Sequence, residues 1–141
     1  MEIPQVTGLF FDIGISSYQI DSGDRGFSFQ SDSPLDMRFD TSSGESARHF
    51  LNSSEFKEIG MVIRNYGEER NWKRITRAIV NAASKGEMET TFHLKAAVES
   101  VTHQNFETKT LARVFQGIRI HVNGELDSLE MALESSIDCL K

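Results

Sequence analysis

The chain carries one convincing strand and nothing for it to pair with. Val6, Gly8, Leu9, Phe10 and Phe11 make a nearly continuous apolar run that ends at Asp12. That is the pattern of a strand buried on both faces of a parallel sheet. No comparable run follows in the 141 residues. A strand's N–H and C=O groups need neighbours to bond to, so the expectation is a chain that forms part of a larger fold. Its unpaired edges would recruit another copy in a homodimer, pack irregularly on the helices, or stay poorly ordered. Asp12 stands at the carboxyl end of the expected strand, where ligands bind in open α/β sheets. From there to Asp40 the chain is polar, with neither helical nor strand periodicity. Loops longer than about 15 residues are uncommon in compact domains and usually carry function.

After this loop the spacing is helical. Ser43 or Ser46 caps a short helix containing Ala47, Phe50 and Leu51. A second helix has Phe56, Ile59, Ile63 and Tyr66 on one face and stops at Gly67. The third spans about 69–84, burying Trp72, Ile75, Ile79 and Ala82. Thr91 caps a fourth with Leu94, Ala97, Val98 and Val101, and a fifth carries Leu111, Val114, Phe115, Ile118 and Val122. Asn123–Gly124 kinks or ends it, and Leu126, Leu129, Leu133, Ile137 and Leu140 continue the pattern.

Composition excludes several classes. No apolar run approaches the ~20 residues of a membrane span, and the first residues lack the basic and apolar regions of a secretory signal. Cys139 is the only cysteine, which rules out an internal disulfide and argues against a cysteine metal site. A reducing, cytoplasmic setting is expected. With 15 Lys and Arg against 21 Asp and Glu, the net charge of -6 argues against a general nucleic-acid binder. RNA binding would need a local basic face.

Such a face is legible. Arg70, Lys73, Arg74 and Arg77 fall at i, i+3, i+4 and i+7, opposite Trp72, Ile75 and Ile79, and can track an RNA backbone. An ordinary solvated helix face is the competing reading, and Glu68 and Glu69 dilute the charge. In the loop, Arg25 and Arg38 can bind phosphate, or can form an internal network with Asp36 and Asp40. Met37 and Phe39 between those acids fit no metal-ligand pattern, and no metal is expected. Arg113, Gln116, Arg119 and Asn123 form a further polar stripe, whose plain reading is a hinge or an interface. His49, His93, His103 and His121 lack ligand spacing.

The motifs FDIGISS (11–17), RGFSF (25–29) and LDMRFD (35–40) resemble the MraW family of ribosomal RNA methyltransferases. The likeness continues through YGEER (66–70), RITRAIV (74–80) and RVFQGIRIHVNGEL (113–126). It implies an enzyme moving a methyl group from S-adenosylmethionine to the N4 of a cytosine in small-subunit ribosomal RNA. The fold it implies is mainly α: an inserted helical domain, plus one strand and the return helix of a Rossmann-like α/β methyltransferase domain. Residues 1–18 would belong to the methyltransferase domain, 19–115 to the helical insertion that recognises substrate, and 116–141 to the returning helix. The family's Gly-rich cofactor loop has no counterpart here, so the chain would be the middle of the enzyme, inactive alone. Asp12 would be the catalytic carboxylate, and Asp12 and Gln19 would contact the cofactor; a carboxylate that merely caps the following turn is the alternative for Asp12. Tyr18, where the family more often has proline, would stack on the base or cover the cofactor. Arg25, Arg38, Arg70, Lys73, Arg74 and Arg77 are the RNA-binding candidates, with ribosomal RNA or the assembled small subunit as partner. A non-catalytic helical module binding RNA or protein is the rival reading.

Overall fold

The computed structural model describes residues 6–12 and 25–140. Gln19 and Tyr18 lie outside the described residues. Among the described residues the secondary structure is helical, as expected for a mainly α chain. α1 is Ala47–Ser53, α2 Phe56–Asn65, α3 Trp72–Ser84 and α4 Thr91–Glu99. A short 3-10 turn, Gln104–Phe106, leads into α5, Glu107–Asn123, and α6 is Glu125–Ile137.

The helices form where apolar spacing and caps coincide. The Ser46 hydroxyl accepts the His49 amide at the start of α1, satisfying a donor that has no intrahelical partner. Glu55 and Glu58 cap α2 reciprocally. Thr90 rather than Thr91 occupies the cap of α4. The Thr91 hydroxyl is engaged elsewhere, donating to the Ser31 carbonyl at 2.7 Å and accepting the Ser33 amide at 3.1 Å. α5 ends at Gly124, whose φ of 57° is the left-handed conformation that glycine adopts at little cost.

α5 is the centre of the bundle, packing on α1, α2 and α4, while α3 packs on α1, α2 and α4. Ile59, Ile63, Ile75, Ile79, Leu94, Val98, Val114 and Ile118 are fully enclosed between them. Two loop residues, Leu35 and Met37, are buried with the helical ones. The segment around them is stitched to two helix starts. The Leu35 amide donates to the Glu89 carbonyl, the Thr91 amide to Ser33, and the amides of Ala47 and Arg48 to Asp36 and Leu35.

Among the described residues the expected strand is without the neighbours a sheet would give it, as anticipated for a strand cut off from its sheet. Residues 6–12 form no ladder. Their single pairing is an isolated parallel bridge between Val6 and Leu140, with the Val6 amide bonded to the Cys139 carbonyl at 2.9 Å. A strand exists through its partners, and the described residues supply none beyond that point. Phe10 is 91% exposed. α6 is likewise uncovered: it packs on α5 but buries no residue, and Leu126, Met131, Leu133 and Ile137 face outward.

Candidate functional site

Asp12 closes the extended segment as an exposed carboxylate. It lines none of the three cavities described below.

The loop candidates are drawn into an internal network. Arg25 donates from Nη2 to the carbonyls of Arg38 and Phe39 at 3.0 and 2.9 Å. The Arg38 guanidinium meets Asp36 in a two-point pair, 2.8 Å at each contact, and Nη1 reaches the Gly44 carbonyl at 3.2 Å. Phe27 stacks on Phe39 with centroids 5.6 Å apart, beneath the Arg25 guanidinium. The loop therefore gains its shape from the same arginines whose charge suggests phosphate.

The hydrogen bond from Arg38 is the main cause holding the Asp36 carboxyl below its ordinary value, against the opposing pull of partial burial. A carboxyl with a depressed folded pKa stabilises the fold above its unfolded value, ordinarily 3.8. That contribution is lost as pH falls through the depressed folded value. Asp36→Asn should therefore be less stable than the parent at pH 7 and should show a shallower loss of stability below pH 4. Urea midpoints from pH 7 to pH 2.5 measure this; parallel curves would rule it out.

The basic stripe is present with two changes. α3 starts at Trp72, so Arg70 lies in the preceding turn rather than on the helix. The turn is set by Glu69, only 3% exposed, whose carboxylate faces inward toward Arg113 at 3.5 Å and accepts the Asn71 amide at 2.9 Å. Lys73 is not opposite Trp72: its ammonium lies over the indole, 5.5 Å from the ring centroid. Arg64 of α2 stands near the same ring at 5.8 Å. Arg70, Lys73, Arg74 and Arg77 are all exposed.

Arg74 and Arg77 also line a groove of about 960 Å³ between α3 and α4. Asn81 and Lys85 extend that wall along α3, and His93 and Ser100 stand on the α4 side. The floor includes Ala78, Ala82, Ala96 and Ala97, small residues that keep the trough open. Glu87 is its one acidic lining residue. Asn81 and Lys85 were not singled out from the sequence, although they continue the stripe at successive steps of four from Arg77. His93 had no visible role either. Its Nδ1 accepts the Glu89 and Thr90 amides at 3.1 and 3.3 Å, so a neutral ring carries its proton on Nε2.

Two smaller cavities, of about 340 and 270 Å³, flank Tyr66 and His121. His121 packs on Phe50 at 4.2 Å, and burial pushes its imidazole pKa down, with Glu58 and Glu45 pulling the other way. Asn123, from the polar stripe of α5, clamps the loop. Its Oδ1 accepts the Phe39 amide at 2.7 Å, and its Nδ2 donates to the Met37 carbonyl at 2.7 Å. Arg119 pairs with Glu125 across the α5–α6 junction at 2.7 Å. No helix is long and apolar enough to cross a membrane, and no cluster of three metal-ligating side chains occurs, among the described residues.

Comparison with known proteins agrees with the motifs. The ribosomal RNA small subunit methyltransferase H of Idiomarina loihiensis is 47% identical over 138 residues, 97% of this chain and 44% of that protein. Its namesake in a Wolbachia of Brugia malayi is 48% identical over 136 residues, 96% of this chain and 41% of the relative. The namesake in Dechloromonas aromatica is 46% identical over 140 residues, 99% of this chain and 46% of the relative. The chain thus spans less than half the length of these relatives. The family model for the MraW methylase family matches residues 1–141, and the chain belongs to that family.

Proposed function

We propose that this chain is the substrate-gripping part of an enzyme that methylates a cytosine N4 in small-subunit ribosomal RNA, with S-adenosylmethionine as donor. The observation that carries the reading is the family match along the whole chain, supported by relatives named as ribosomal RNA small subunit methyltransferases. In such an enzyme Asp12 and Gln19 belong to the reaction centre, where a carboxylate can accept a hydrogen bond from an amino group. Among the described residues Asp12 is exposed and lines none of the three cavities, which supports weak donor binding by this chain alone. Titration calorimetry of this chain with S-adenosylmethionine should therefore detect no micromolar binding. Micromolar affinity would mean that a complete pocket exists within these residues.

The uncovered apolar residues Leu9, Phe10, Phe11, Leu126, Leu133 and Ile137 fit the same reading. Contiguous exposed apolar surface marks an interface, and in a protein of the relatives' length it is suited to the methyltransferase sheet. A second reading is a non-catalytic helical module that binds RNA or protein, favoured by the groove and the exposed basic face, which stand apart from Asp12 among the described residues.

RNA is assigned to the exposed face of Arg70, Lys73, Arg74 and Arg77, whereas Arg25 and Arg38 act by shaping the loop. The test is RNA affinity across a salt series for the parent and for Arg70→Glu/Arg74→Glu. Each lost contact to single-stranded RNA should flatten the salt dependence by about 0.7 of a unit of slope. The fold should survive, because neither side chain is buried. Unchanged affinity and slope in a folded double variant would leave the stripe as a solvated surface.

A further inference from the structure

We infer that the groove between α3 and α4 is the path of a single RNA strand, its phosphates directed at Arg74, Arg77 and Lys85 and its riboses against the alanine floor. This rests on the RNA-binding reading and deepens it, by extending the contact from the stripe at the start of α3 into the trough beside that helix.

Three observations carry the inference. First, charge: in a chain of net charge -6, this groove has three basic side chains and one acidic one along its lining. Arg74, Arg77 and Lys85 have no ion-pair partner among the described residues, so binding phosphate breaks no existing pair. Second, length: at 1.5 Å per residue, Arg74 to Lys85 spans about 16 Å of α3, room for several nucleotides. Third, the opposite wall is polar and pre-set. His93 is locked by its Nδ1 bonds to the Glu89 and Thr90 amides, leaving Nε2–H as a fixed donor. Ser100 already donates to the Ala97 carbonyl, so its hydroxyl oxygen keeps acceptor capacity for a ribose 2′-OH.

An acidic peptide would satisfy the cations but would not use the alanine floor between two hydrogen-bonding walls in the same way. Phe, Tyr and Trp are absent from the groove lining, so the groove offers bases no large stacking platform. The strand is held by its backbone, with its bases left outward for a separate site.

The test uses this chain with a short fluorescein-labelled single-stranded oligoribonucleotide, followed by anisotropy across a salt series. Asn81→Asp/Lys85→Glu alters the groove without touching Arg70, Lys73, Arg74 or Arg77. It should weaken binding by about tenfold at low salt and reduce the salt slope. Glu87→Gln should tighten binding. Circular dichroism checks folding, which both variants should retain because all three side chains are exposed. If Arg70→Glu/Lys73→Glu, which leaves the groove lining intact, weakens binding while the groove variant matches the parent, the groove is not the path but the RNA reading stands. If neither variant weakens it, both fail. If the groove variant binds the oligoribonucleotide normally but loses affinity for assembled small ribosomal subunits, the groove takes a protein and the inference is overturned.

Discussion

Gly117→Val should destabilise the chain by about 3 kcal/mol, the upper end of ordinary overpacking costs, and Gly67→Ala should come close to it. These two glycines are the point where the end of α2 crosses α5. A Cβ on Gly117 would sit 2.8 Å from the Gly67 amide nitrogen and 3.2 Å from the Val62 carbonyl oxygen. One on Gly67 would sit 2.6 Å from the Arg113 carbonyl oxygen and 2.8 Å from that of Ile63. All four neighbours are backbone atoms, so no rotamer change relieves the contact; the helices must separate. Separation would open the core around Val62, Ile63 and Val114, which are at most 4% exposed. Denaturant midpoints for the parent, Gly117→Ala and Gly117→Val give a graded series. A Gly117→Val protein within about 0.5 kcal/mol of the parent, the range of ordinary surface changes, would show that this crossing is looser than its distances imply.

Asn123→Ala should cost about 2–3 kcal/mol and loosen residues 36–40. One side-chain amide serves three backbone groups: the Phe39 amide and the carbonyls of Met37 and Arg119, at 2.7, 2.7 and 2.9 Å. Removing it leaves partly buried polar groups unpaired, each worth about 1–3 kcal/mol if no water replaces the partner. Met37 is also held at φ 62°, a conformation non-glycine residues adopt only when their surroundings enforce it. Asn123→Asp is no rescue, because it keeps the acceptor for Phe39 but sets a carboxylate against the Met37 carbonyl. Hydrogen exchange at the Phe39 amide should accelerate in both variants while the amides of α3 stay protected. Unchanged exchange at Phe39 would mean that the loop holds its shape without the clamp.

Much of the helical body was legible in local spacing. Ile59 and Ile63, Ile75 and Ile79, and Leu111, Val114 and Ile118 were expected on inward faces, and all are buried. Ser46 and Gly124 act as the caps their chemistry suggests. Helix periodicity and capping are short-range properties, so a single sequence carries them. The family was legible for a different reason: several motifs stand in order along the chain.

Tertiary structure decided the rest, because each remaining question depends on residues far apart in the chain. Arg25 and Arg38 were open to phosphate or to an internal network, and the fold turns both onto groups of their own loop. Glu69 looked like a diluting surface charge, yet the turn before α3 buries it beside Arg113, 44 positions away. Lys73 was placed opposite Trp72 by helical spacing alone; the start of α3 at Trp72 lets the long lysine stem fold back over the ring. The apolar run at 6–12 reads as a strand, but a ladder is made by partners, and only Leu140 bridges to it among the described residues. The groove exists because α3 and α4 pack together and line the space between them with alanines. Periodicity could identify the basic face of α3, but packing alone could set His93 and Ser100 across from it.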